Sequence, residues 1–237
     1  MLPDSVLAGM PGTFSVIGAA QNEPITSPER RATITRPIIT AIDERRTTVV
    51  FDPARSIDDA PIAELVRLAT RALTSFNLQN WRFIVRTLEA RARLRSIGWD
   101  QAKITEVAVT FIVCGQLAEA QTLPDHLAPS VDAGVMPAPM VDGWVGGAAS
   151  LYGRQPWCQR DQAVRCATFS AATLIFAAHA MGLGAGPMIG FDQDTVAAQF
   201  GLAENEIPVM LLAVSYPLPA NRPQKPRRPL VEVLDLT

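Results

Sequence analysis

Two early segments place their apolar residues at helical spacing. Ile38, Ile39 and Ile42 share one side of a stretch that starts at Thr35 or Arg36, carries Pro37 in its first turn and ends in Asp43, Glu44, Arg45 and Arg46. That spacing predicts a short amphipathic helix over 36–46. Ile62, Leu65, Val66, Leu68 and Ala69 repeat the pattern between Asp58 and Leu73, with an aspartate to cap the start and Pro61 in the first turn. Trp81 to Thr87 is aromatic and β-branched and predicts a strand, whereas Ala90 to Ile97 is charged and alanine-rich and predicts a helix.

Val107 to Gly115 and Val209 to Tyr216 are nearly unbroken apolar runs of strand length, as expected of central strands covered on two faces. Gln162 to Met181 is the strongest helix. Its Ala163, Cys166, Ala167, Ser170, Ala171, Leu174, Ala177 and Ala178 form a face of mostly small residues. Such a face suits close packing on the sheet, the preferred reading, or on a twofold mate. A short helix follows at Gln193 to Phe200. From Leu117 to Gln159 the composition shifts to Pro, Gly and Ala, with Met136 and Met140 early and Trp144, Tyr152 and Trp157 later; this reads as a mobile cover or partner contact, with 118–160 as its core span. Met1 to about Thr35 reads as an extension of low order draped over a partner, which leaves one domain over 36–237.

Charge narrows the partners. With 21 basic and 23 acidic side chains in 237 residues the formal balance is −2, which argues against nucleic acid and anionic membrane and for a small-molecule ligand. No stretch reaches the roughly 20 uninterrupted apolar residues of a membrane helix, and Met1 to Ala20 lacks the basic start of a signal peptide. Cys114, Cys158 and Cys166 are odd in number and sit apart from His126 and His179, so neither a disulfide framework nor a metal site is expected, and reducing cytoplasm is the default compartment. His179 reads as a surface or capping residue.

Gly182, Gly184 and Gly186 superficially match a dinucleotide fingerprint, but they follow a helix where that fingerprint follows a strand. They are expected to end the helix and open a loop whose backbone can approach something flat and large. No nucleophile elbow, Walker loop or paired carboxylates anchor a hydrolase or NTPase reading.

Five short segments then form an ordered set: Arg45-Arg46-Thr47-Thr48, Thr74 to Trp81, Trp99 to Lys103, Gly186 to Phe191, and Lys225 to Leu230. In that order the chain resembles the FMN-dependent nitroreductases over roughly Arg36 to Leu234. It is most similar to the compact bacterial NAD(P)H nitroreductase-like branch, in which Asn-Leu-Gln-x-Trp and x-Gln-x-x-Ile recur, here Asn77 to Trp81 and Asp100 to Ile104. The resemblance implies an α+β three-layer sandwich, its central sheet mostly antiparallel with helices on both faces, and a homodimer with FMN at the interface. It also implies ping-pong hydride transfer through flavin N5, from NADH or NADPH to nitroaromatics, quinones or similar electron-poor acceptors. No side chain is then required as a nucleophile.

The same resemblance distributes roles. Arg45, with Arg46 beside it, Thr47, Lys225 and Arg227 correspond to the phosphate ligands, Thr47 replacing the usual serine. A phosphate dianion needs several charge-assisted donors, and guanidinium supplies a planar fork. Thr74, Ser75 and Asn77 correspond to a segment that the other subunit contributes along the flavin and ribityl chain; Leu73 and Asn80 stand where prolines are usual. Asp100 and Lys103 correspond to positions at the polar edge of the isoalloxazine, Asp100 replacing asparagine, and Lys103 would stabilise negative charge on the reduced ring. Pro187, Met188, Ile189 and Gly190 correspond to the loop beside N5, with Ile189 where many relatives have glutamate. Phe76, Trp99, Trp144 and Trp157 are candidates for the acceptor pocket. Two other readings stay open: a sibling flavoenzyme with different reductive chemistry, such as dehalogenation or enoate reduction, and a non-catalytic flavin-binding protein.

Overall fold

The structure, a computed structural model, describes residues 38–85, 88–153 and 155–236. The chain divides into two units at Thr40, and the features below belong to the second, Ala41–Thr237. The expected extension before Thr35 and the first turn at Pro37 lie outside the described residues. In chain order the elements are α1 (38–44, of which 41–44 lie in this unit), α2 (Asp59–Ala69), β1 (Trp81–Val85), α3 (Leu88–Ile97), β2 (Val109–Gln116), α4 (Leu123–Asp132), α5 (Met140–Tyr152), α6 (Pro156–Ala180), β3 (Gly184–Met188), α7 (Gln193–Phe200) and β4 (Glu206–Ser215).

The four strands form one sheet in the order β1-β2-β4-β3, with every pair antiparallel. Alternation along β2 divides the core in two. Ile112 and Cys114 face a cluster that takes in Leu211, Ala213 and Met188 of the sheet, Ala90 and Leu94 of α3, and Val196 and Phe200 of α7. Val109, Phe111 and Val113 face the other way, against Leu65 and Ala69 of α2 and Ala167, Ala171, Leu174 and Ala178 of α6. Helices therefore cover both faces of an antiparallel sheet, which is the three-layer α+β architecture expected from the sequence. The small-residue face of α6 lies on this sheet. Where α6 crosses β2, a Cβ on Gly115 would lie 2.6 Å from the carbonyl carbon of Ala163, so only glycine admits the helix at that distance.

Local signals explain most boundaries. Asp192 caps α7 by accepting the Thr195 N–H at 2.7 Å, and Gly201 ends the helix in the left-handed conformation at φ 66°. α6 is 25 residues long and, by length and composition alone, apolar enough to cross a membrane, but its face toward the sheet is core.

Three expectations are corrected. Gly184 to Met188 is not a loop but the edge strand β3, pairing Gly184 with Ser215 through Met188 with Leu211. Its Pro187 is tolerated because an edge strand has unpaired backbone positions. The segment after Leu117 is not a mere cover: α4 and α5 enclose an apolar cluster of their own, with Leu123, Leu127, Met136, Ala148 and Tyr152 buried around Leu78. Lastly, α6 begins at Pro156 instead of Gln162, with Pro156 filling its first turn.

Candidate active site

The free side of β3 is closed by the segment after α1. Thr47 bridges Ala185 in parallel, the Thr48 N–H donates to the Ala185 carbonyl at 2.9 Å, and Phe51 bridges Pro217. A Cβ on Gly186 would lie 2.5 Å from the Thr48 carbonyl oxygen, so the glycine reflects this close strand contact. Beyond β4 the chain returns alongside: the Leu218 N–H donates to the Val50 carbonyl at 3.1 Å, and the Asn221 side chain bonds both tracts.

Between α1, the end of α6, the start of β3 and this returning tract lies a cavity of about 700 Å³. Arg45, Arg46, Thr48, His179, Gly184, Asn221 and Gln224 are among the residues lining it. Thr47 is exposed at its margin, and Lys225 and Arg227 continue from Gln224 as exposed side chains outside the lining, with Arg227 donating to the Lys225 carbonyl at 3.3 Å. Among the described residues, none of Arg45, Arg46, Lys225 and Arg227 has an acidic partner. Asp43 and Glu44 line the same cavity, so what suits it to an anion is the unpaired arginine donors, with Lys225 and Arg227 next in the chain, and not a net positive lining.

The opposite end of β3 carries the second group. Past Met188, Ile189 is exposed and Gly190 lies under the ring of Trp99: a Cβ at 190 would sit 2.7 Å from Cε3 of the indole. Gln101 holds the same loop by donating from Nε2 to the Gly190 carbonyl at 2.9 Å. Trp99 to Lys103 and Ile189 to Gly190, grouped by the sequence, are thus in contact. Lys103 is half-buried, and burial pulls its pKa down from the usual lysine range. The Asp100 carboxylate pairs with Arg95 Nε at 2.7 Å on the surface.

Thr74, Ser75 and Asn77 form a third group. Thr74 Oγ1 accepts the Gln79 N–H at 3.1 Å and lies 3.2 Å from Cys166 Sγ. The Tyr152 hydroxyl donates to Ser75 Oγ at 3.0 Å; burial raises the Tyr152 pKa, partly offset by this hydrogen bond. Phe76 packs edge-on to both Trp144 and Tyr152, with ring centroids 6.2 Å apart in each case. Trp157 is exposed. This loop feeds β1, whereas the two groups above sit on β3, so the sheet order puts them on opposite edges, three strand spacings or roughly 14 Å apart. No hydrogen bond or ring contact joins them among the described residues.

Backbone strain marks the same loops. The described non-glycine residues with positive φ are Phe76, Asn77, Gln79, Trp99 and Asp100, with φ between 49° and 54°. Such conformations persist where surrounding structure fixes them, and they gather at ligand-binding segments. The sequence reading missed Asn221, His179 and Gln224 as cavity residues. Asn221 carries no local signal in its proline-rich tract, and His179 joins the cavity only because α6 ends beside β3.

The sequence profile of the Nitroreductase family matches residues 42–216, and the chain belongs to that family. Protein DrgA of Synechocystis is 34% identical over 158 residues, 66% of this chain and 73% of DrgA. A Thermus thermophilus protein named NADH dehydrogenase is 28% identical over 185 residues, covering 75% of this chain and 85% of its own length. Among solved structures, a protein of Exiguobacterium sibiricum in complex with FMN superposes with a TM-score of 0.77 at 25% identity, covering 84% of this chain and 96% of that one.

Proposed function

We propose that the chain is an FMN-dependent oxidoreductase that uses NAD(P)H to reduce small electron-poor acceptors, and that two copies build each site. One observation carries this reading: Arg45 and Arg46, without acidic partners among the described residues, line a cavity at the start of β3 whose lining runs on to Gln224, next to Lys225, while the half-buried Lys103 closely follows Gln101, which bonds Gly190 past the other end. A ligand with a phosphate at one end and an electron-accepting ring at the other matches that distribution. The FMN held by the Exiguobacterium relative and the nicotinamide-linked name of the Thermus relative support the same choice.

The residues present fit the cofactor. Arg45, Arg46, Lys225 and Arg227 would hold the phosphate with charge-assisted hydrogen bonds, and the Thr47 hydroxyl adds a neutral donor. Lys103 would stand near the ring's polar edge, where its charge favours the electron-rich form. Pro187, Met188, Ile189 and Gly190 would run beside the ring, with Gln101 holding this loop through its hydrogen bond to the Gly190 carbonyl. Bound FMN would supply the chemistry itself, accepting a hydride and passing reducing equivalents to the acceptor. The exposed Ile189 and Trp99 would offer apolar surface for a flat acceptor, with Phe76 and Trp144 forming a second aromatic wall.

The two-copy arrangement rests on the sheet. Thr74, Ser75 and Asn77 lie at the edge opposite the cations, so a second copy is the natural source of that part of the site. The domain over 36–237, with 118–160 as its variable cover segment, belongs to this proposal. Its compartment would be the cytoplasm, in keeping with three buried free thiols.

An anaerobic visible spectrum of the purified protein tests the reading. A flavin spectrum that bleaches with NADH or NADPH and returns on adding a nitroaromatic or quinone is the expected result. Protein that stays colourless after reconstitution with FMN would sink it, and a monomer by light scattering with flavin bound would remove the two-copy part.

A further inference from the structure

Asn221 uses its whole amide. Its Oδ1 accepts the Val49 N–H at 2.8 Å and the Val50 N–H at 3.0 Å, while its Nδ2 donates to the Val50 carbonyl at 2.6 Å and to the Leu218 carbonyl at 2.9 Å. Two acceptances and two donations exhaust what a carboxamide can do. No other side chain of similar size offers both sets, since aspartate only accepts. The bonds tie together tracts 172 residues apart in sequence.

The position of this clamp gives it meaning. Backbone pairing between the two tracts stops at Leu218 and Val50. Beyond Asn221, the hydrogen bonds that residues 222–229 make among the described residues are local: Arg227 donates to the Lys225 carbonyl and the Glu232 N–H to the Pro229 carbonyl. Asn221 is therefore the last fixed point before Lys225 and Arg227. Pro223, Pro226 and Pro229 restrict φ through this tract and keep it extended. A stiff extended chain advances about 3.1 Å per residue, so Lys225, four residues on, lies within about 12 Å of a fixed origin. On the other side of the clamp, Val49 is four residues from Arg45, and Asn221 itself lines the cavity with Arg45 and Arg46. None of the three apolar clusters includes a residue of the 217–229 tract.

We propose that Asn221 is a positioning residue for the phosphate of the cofactor: it sets the distance between the Arg45–Thr47 donors and the Lys225–Arg227 donors without touching the ligand. This deepens the FMN reading and rests on it. A cluster of like charges resists convergence, so the clamp supplies the geometry that the charges alone oppose.

Comparison of FMN with riboflavin, which lacks the phosphate, tests the proposal. Dissociation constants of both ligands are measured by flavin fluorescence in wild type and in Asn221→Ala, together with thermal melting of the ligand-free protein. The expected result is a loss of about tenfold in FMN affinity with riboflavin affinity held within about twofold, so that the preference for FMN collapses. A merely structural role would weaken both ligands alike and leave their ratio unmoved. Should the alanine variant not fold, Asn221→Ser, which keeps an acceptor for the Val49 and Val50 amides, is read by the same ratio. An unchanged ratio in whichever variant folds, or failure of both to fold, overturns the proposal. Wild-type protein that binds riboflavin as tightly as FMN removes the phosphate reading itself, and this is seen before any variant is compared.

Discussion

Gly115 of β2 and Ala163 of α6 meet backbone to backbone, with no room for a side chain on the glycine. Both partners are buried within regular elements, so neither yields easily. Gly115→Ala is expected to destabilise the fold by about 2 to 3 kcal/mol, the range for overpacking a closed core. Gly190→Ala meets the ring of the exposed Trp99 instead, which can swing aside; its expected cost is under about 1 kcal/mol, with a shift in tryptophan fluorescence. Urea unfolding of the two variants checks the contrast, and equal costs would contradict it.

Cys114 gives the stability a pH dependence. Its thiol is fully buried, and burial, with the Glu206 carboxylate adding to it, pushes its pKa well above the ordinary thiol range, up to about 12. The folded state keeps the proton after the unfolded chain has lost it. Stability from this group is thus complete below pH 9 and declines as pH rises toward 12, with a slope of at most about 1.4 kcal/mol per pH unit. Cys114→Ala should flatten the fall in urea midpoint between pH 8.5 and 10.5, measured against wild type at each pH. A parallel pair of curves would show that other groups carry the alkaline loss.

Arg227 is exposed and makes no ion pair among the described residues, so its removal should spare the fold. Arg227→Ala is expected to weaken FMN at least about tenfold while the melting temperature of ligand-free protein stays within about 2 °C. Full retention of FMN affinity would remove Arg227 from the phosphate site.

Lys103→Met tests the other end of the site. Removing a half-buried positive charge should disfavour the electron-rich form of the ring and lower the midpoint potential of bound FMN. A loss of about 1.4 kcal/mol corresponds to about 30 mV for a two-electron couple. Spectroelectrochemistry reads the shift, and a potential unchanged or raised would place Lys103 away from the ring.

Arg82 and Glu206 define a fifth test, within the sheet. Arg82 Nη1 bonds the nearly fully buried Glu206 carboxylate at 2.7 Å, and Glu206 also accepts from Gln116 Nε2 and the Ala203 N–H. Because those two donors remain, Arg82→Met is expected to cost about 1 to 3 kcal/mol by urea unfolding. A neutral result would mean that the remaining donors suffice.

The parts of the fold that announced themselves were those whose periodicity and burial coincide. β2 was legible because its run of apolar residues is covered on both faces, and α7 because Asp192 and Gly201 punctuate it. β3 was not legible, since Gly184-Ala-Gly-Pro-Met188 has none of the β-branched or aromatic content of a strand. It is held there by β4 on one side and Thr47–Thr48 on the other, which is tertiary context that a local pattern does not contain. α4 and α5 were hidden by Pro129, Gly143, Gly146 and Gly147, residues that lower helix propensity until packing overrides it. At the site, the grouping of Trp99 to Lys103 with Ile189 and Gly190 was legible through family order. The pairing of Asp100 with Arg95 and the clamp at Asn221 were not, because each depends on geometry fixed elsewhere in the fold.

The left-handed residues at 76, 77, 79, 99 and 100 bear on how the protein can be engineered. Asn and Asp adopt this conformation readily, but Phe76, Gln79 and Trp99 do so at an energetic cost that glycine would not incur. Glycine at any of these three would relieve backbone strain while deleting the side chain that meets a neighbour or a ligand. Thermal tolerance and selectivity therefore pull in opposite directions at these loops, and a stabilising programme for this chain is better directed at surface helix positions of α2 and α3.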